Sequence, residues 1–121
     1  MKDNKYDLEE RLIDFAIIVS DIVDNLPGTR LGNYIGGQLV RSGCSPALNY
    51  GEAQSAESRN DFIHKMKIIL KELRESLISI KIIERKNLHD KDKVLTAKDE
   101  CNPLIAIFVK SIETAKKNNL K

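Results

Sequence analysis

The chain has 121 residues, 41% hydrophobic and 31% charged, with a formal net charge of +2. That length supports one domain, 1–121, with a core of its own, and the apolar fraction excludes a disordered chain. Aromatic residues reach only 5% and tryptophan is absent, which argues against a platform for stacking single-stranded bases.

Cys44 and Cys101 stand far apart and read as free thiols of a reducing compartment. The opening residues Met1, Lys2, Asp3 and Asn4 lack the apolar segment of a signal peptide. No apolar run, that at 16–19 included, is long enough to cross a bilayer. The expectation is a cytoplasmic protein with no membrane association.

The first predicted helix covers 6–25, with Leu8, Leu12, Phe15, Val19, Ile22 and Leu26 spaced alternately by four and three. Pro27 and Gly28 end it. Ile13, Ala16, Ile17 and Val23 form a second apolar stripe displaced around the same helix. Two readings of that stripe stand, burial deep in a bundle and a subunit interface.

The second helix covers 29–55, with Thr29 as its N-cap. Ile35 and Leu39 start an apolar stripe that then fades into small and polar residues. Pro46 removes a backbone hydrogen bond, so a kink near Ser42 is expected. Gln38, Ser42, Ser45, Asn49, Glu52 and Ala56 keep helical spacing as a seam of small and polar groups. Buried polar groups on such a seam need partners.

The third helix, 58–87, opens on Ser58 with Asp61 three residues on, a variant of the capping box. Phe62, Met66, Ile69, Leu70, Leu73, Leu77 and Ile80 form its core stripe, and Asn87 suits its C-terminal cap. One flank carries Lys67, Lys71, Arg74, Lys81 and Arg85; the other carries Glu72 and Glu75 among isoleucines. The fourth helix covers 92–117, with Val94, Cys101, Leu104, Ile105, Phe108 and Ile112 inside. Asn102 and Pro103 could cap a separate helix, but the apolar residues stay in phase across the proline, which favours one kinked, continuous helix. The basic tail 115–121 is expected to fray. With no strand alternation, the fold class is all-α, an up-down-up-down four-helix bundle.

Catalytic constellations are not in evidence. His64 and His89 are the only histidines, and neither lies near a nucleophile elbow. A di-iron centre needs a Glu-x-x-His motif on each of two helices, whereas 61–64 offers one imperfect version. Gly36 and Gly37 lack the spacing and the lysine of a phosphate-binding loop. The chain therefore reads as a non-enzyme without cofactor or metal. Arg41 is expected to join Glu72 and Glu75, together with Asn49 and Glu52, in a polar scaffold that fixes register or oligomer geometry. The basic flank of the third helix is either a solvated face or a contact surface for phosphates, which a ring of subunits would multiply.

Residues 38–42 (QLVRS), Ser45 with Asn49, Tyr50, Glu52, Ala53 and Gln54, then Glu57, Ser58, Asp61, Phe62, Ile63 and Lys65, and finally 70–75 (LKELRE), resemble the four-helix bundle proteins of the 23S rRNA intervening-sequence family. The chain is more distantly similar to the accessory protein of diversity-generating retroelements. The first resemblance implies a closed homopentameric ring of bundles, with Ile13, Ala16, Ile17 and Val23 at the subunit interface. The second implies RNA or DNA, and a protein such as a reverse transcriptase, as partners. Gly51, where the family has a larger residue, and Pro103 depart from the pattern. The function so implied is a non-enzymatic ring that binds structured RNA or DNA through Lys67, Lys71, Arg74, Lys81 and Arg85. The alternative is a protein-binding adaptor.

Overall fold

The computed structural model describes residues 4–119, with side chains over 8–118. Met1, Lys2 and Asp3, read above for a leader, and the last two residues of the basic tail lie outside that range. Among the described residues the fold is all-α: α1 Asn4–Asp24, α2 Arg30–Gln54, α3 Arg59–Arg85 and α4 Lys91–Asn119. Each helix packs against the next, and α4 closes on α1, while the diagonal pairs stay apart. Short connections alternate the helix directions, giving an up-down-up-down four-helix bundle.

The helix ends are set by local chemistry. The Gly32 amide donates to Thr29 Oγ1 at 3.0 Å, and the Asp61 amide donates to Ser58 Oγ at 3.0 Å. The Asp61 carboxylate reaches back to the Glu57 amide at 3.4 Å, one residue earlier than a standard capping box. At α4 the Lys93 amide donates to Asp90 Oδ1 at 3.1 Å, a cap that sequence reading passed over. Asn87 sits one residue beyond the Lys86 cap, at φ 54. The Leu88 amide donates to the Ile83 carbonyl and the Asn87 amide to that of Glu84, closing a Schellman motif. Asn87 tolerates the left-handed backbone better than most side chains.

Both internal prolines are accommodated. α2 runs unbroken past Pro46 and α4 past Pro103, so the second region is one helix. The tail expected to fray is instead helical through Asn119, because Ala115 and Ile112 are buried and anchor its last turns. The core gathers Leu12, Phe15, Val19, Leu39, Ile69, Leu73, Ile80, Leu104 and Phe108. Phe62, Leu70, Leu77 and Ile105 are only half-buried, at the edges of their stripes.

Two glycines are required by close approach. A Cβ on Gly32 would lie 2.0 Å from the Pro27 carbonyl oxygen, so the α1–α2 turn admits no side chain there. A Cβ on Gly43 would lie 2.7 Å from Val19 Cγ1, where α1 and α2 cross. Gly43→Leu should therefore cost about 1–3 kcal/mol by overpacking. Gly51→Ala, with nothing within 4 Å, should be neutral or stabilise by up to about 1 kcal/mol. Urea denaturation of the two variants checks the contrast, and equal midpoints would refute the tight crossing.

Candidate nucleic-acid interface

The basic flank of α3 is the outward face of that helix. Lys67, Lys71, Arg74 and Arg85 are exposed and Lys81 is half-buried, with Ile78 exposed among them. An ordinary solvated face neutralises itself with neighbouring acids. Here only Lys71 has one, Glu75 at 3.9 Å. Among the described residues Lys67, Arg74, Lys81 and Arg85 have no carboxylate within ion-pair distance. The flank thus presents uncompensated positive charge.

That charge continues around the α3–α4 turn. Arg85, His89, Lys91 and Lys98 share a polar cavity of about 510 Å³ with Glu84 and Asn87. Lys98 is held by Glu84 at 2.9 Å, which leaves Arg85 and Lys91 unpaired among the described residues. Sequence reading missed Lys91 and His89 as partners of Arg85. They follow a turn whose geometry alone folds them back, and no helical period links them to α3.

The polar scaffold is partly what the sequence suggested and partly not. Arg41 forks onto two acids of α3, Nη1 to Glu72 Oε1 at 2.8 Å and Nη2 to Glu75 Oε1 at 2.9 Å, with Gln38 Oε1 at 3.4 Å. Its guanidinium is held above its ordinary pKa by the hydrogen bond to Glu75 first, then by the charge of Glu72. The Arg41 side chain is 52% exposed and only Glu72, at 9%, is buried, so the fork lies in the α2–α3 groove and not inside the bundle. Asn49 and Glu52 do not join it. Asn49 Nδ2 turns back to Ser45 Oγ and the Ser45 carbonyl, one turn earlier on its own helix. Glu52 pairs with Lys65 at 2.8 Å, which raises the lysine pKa through that hydrogen bond. What is buried on the seam is smaller, a Ser76 hydroxyl donating to Ser42 Oγ at 2.8 Å.

The second stripe of α1 splits. Val23 is half-buried and meets Gly36 of α2 inside the bundle's own packing. Ala16 is also half-buried, whereas Ile13 and Ile17 point outward, 40% and 56% exposed. Beside them, Arg30, Arg41 and Glu52 are the only charged residues of α2. The outer face of α2 presents Gly37, Val40, Cys44, Leu48 and Gly51, and Leu48 is 72% exposed. Sequence reading noticed the polar seam of this helix and missed the uncharged outer face.

Cys101 is buried, donates to the Leu73 carbonyl at 3.3 Å, and has its pKa pushed up to about 12 by burial and then by Glu100. No reactive thiolate forms there. His64 lies exposed. Among the described residues no group of His, Cys, Asp and Glu converges to hold a metal ion, and no helix is long and apolar enough to cross a membrane.

No family model matches the chain, and no curated protein matches it. Among solved structures, the chain is similar to a protein of unknown function from the S23 ribosomal protein family of Bacteroides thetaiotaomicron. The two superpose with a TM-score of 0.80 at 24% identity, over 87% of this chain and 97% of that one. At that identity the likeness establishes the fold.

Proposed function

We propose that this chain is a non-enzymatic, homo-oligomeric four-helix bundle that binds structured RNA or DNA through the outer face of α3. The observation that carries the reading is the set of cations without acid partners, Lys67, Arg74, Lys81 and Arg85, continuing onto Lys91 at the turn. Such a surface contacts phosphates without reading sequence. A bundle likeness to a protein of a family named for a ribosomal protein points the same way. Fluorescence anisotropy with an RNA hairpin and a DNA duplex tests it. Saturable binding of either in low salt supports the reading, and no change with either at tens of micromolar protein overturns it.

The assembly we propose is a closed homopentamer. A head-to-tail ring needs two different patches on each subunit. One is the outward apolar face of α1 and α2, with Ile13, Ile17, Val40 and Leu48. The other is the α2–α3 groove, where exposed Tyr34 and Ile78 flank the Arg41–Glu75 pair around a cavity of about 310 Å³. Exposed apolar surface of this kind marks an interaction site. Light scattering at micromolar concentration should give about five times the 13.7 kDa chain mass. Ile17→Asp with Leu48→Asp should return monomers with helicity intact. A monomeric wild type would refute the ring. In the adaptor reading the same ring docks another protein, such as a reverse transcriptase, and binds no nucleic acid.

A further inference from the structure

The largest of the described cavities is remote from the α3–α4 turn. It lies at the other end of the bundle, where α1 begins, α2 ends, α3 begins and α4 ends, and measures about 750 Å³. That volume falls within the roughly 300–1,000 Å³ of small-molecule sites. Its apolar part is formed by Leu8, Phe62, Met66 and Ala115.

None of the polar side chains on its wall has a hydrogen bond or ion pair among the described residues, the Tyr50 hydroxyl, the Arg59 guanidinium and the Lys110 ammonium included. Tyr50 is the telling one. It is only 8% exposed, its ring meets Phe108 edge-on at 6.0 Å, and no group among the described residues bonds its hydroxyl. No buried side-chain oxygen or nitrogen goes unbonded among the described residues, so this oxygen is not sealed in and opens on the cavity. A tyrosine hydroxyl so placed usually has a partner. Burial, and then the charge of Glu9, raise its pKa, so it remains an O–H donor at neutral pH.

Tyr50, Arg59 and Lys110 are the strongest donors of that wall, and an acceptor-only head such as a carboxylate satisfies them. Among the described residues Glu9 is the one acid on the wall, against the two cations. We propose that this cavity binds an amphipathic organic monoanion, its carboxylate held by Tyr50, Arg59 and Lys110 and its apolar body against Leu8, Phe62 and Met66. The site is independent of the nucleic-acid reading, being at the opposite end of the bundle from the α3–α4 turn.

Decanoate, below its micellar concentration, is the probe, titrated into the full chain and followed by amide chemical shifts. The expected result is saturable shifts clustered at Tyr50, Phe62, Met66 and Ser111. Arg59→Ala and Lys110→Ala, both at exposed positions, should each weaken binding about three- to tenfold. Tyr50→Phe, which keeps the ring against Phe108, should weaken it by a similar factor without lowering the melting temperature. Acetate should not bind, lacking a body, and decylamine should bind at least tenfold more weakly than decanoate. Absence of saturable shifts up to millimolar decanoate, shifts centred elsewhere, equal binding of decylamine, or unchanged affinity in all three variants would overturn the proposal.

Discussion

Reversing Lys67, Lys71 and Arg74 to glutamate should weaken nucleic-acid binding severely while leaving the fold unchanged. All three are exposed on the outer face of α3, so the substitutions disturb no core contact. Lysine, arginine and glutamate have similar helix propensities, which keeps α3 intact. Each phosphate neutralised releases condensed counterions, so losing three contacts should weaken binding on the order of 100- to 1,000-fold near 0.1 M salt. A matched control separates a local surface from a diffuse charge effect. Arg30, Lys116 and Lys117 are exposed on other helices, and reversing them changes net charge by the same amount. That control should bind within about threefold of wild type. Equal losses in both triple variants would mean that net charge, and not the α3 face, governs binding.

Truncating Phe108 should be the most destabilising single change in the core. Its side chain is wholly buried, and it meets Tyr50 at a ring separation of 6.0 Å and an interplanar angle of 90°. The backbones of α2 and α4 are diagonal across the bundle and make no contact of their own, so this aromatic pair bridges its centre. Phe108→Ala should cost about 3–5 kcal/mol, from lost transfer energy and the cavity left behind. Against a total stability of roughly 5–15 kcal/mol, that lowers the melting temperature by about 10 °C or more. Glu113→Ala, at an exposed position of the same helix, should stay within about 0.5 kcal/mol. A loss below about 1 kcal/mol for Phe108→Ala would contradict the central bridging role.

The helices were legible in the sequence because period, caps and breakers agree. Leu8, Leu12, Phe15, Val19 and Ile22 repeat at helical spacing and are buried, and Thr29 and Ser58 both cap the helices they precede. The continuity of α4 through Pro103 was legible too, since Cys101 and Phe108 keep phase across it and both are buried. The pairing of Arg41 with Glu72 and Glu75 could be read because a cation and two acids face each other from adjacent helices.

Other features had no periodic signature. Asn49 and Glu52 share the spacing of the α2 seam, but spacing does not say which neighbour a side chain takes. Ser45, one turn back, satisfies Asn49, and Lys65 lies across from Glu52. The outer face of α2 was hidden because Gly37, Cys44 and Gly51, interspersed with Val40 and Leu48, dilute its apolar signal. The Arg85–Lys91 cluster and the cavity around Tyr50 arise where helix ends meet. Such sites depend on how helices are cut and joined, which no single-helix pattern records.

The phosphate-contact account is tested most directly by the salt dependence of binding. Anisotropy of a labelled duplex should be measured with the wild-type chain from 25 to 200 mM salt. Contact of Lys67, Lys71, Arg74, Lys81 and Arg85 with phosphates predicts a linear fall of log affinity with log salt, with a slope of about −4 to −5 for each engaged subunit, near 0.9 per contacting cation for a DNA duplex. A slope near zero, or no binding at the lowest salt, would contradict it.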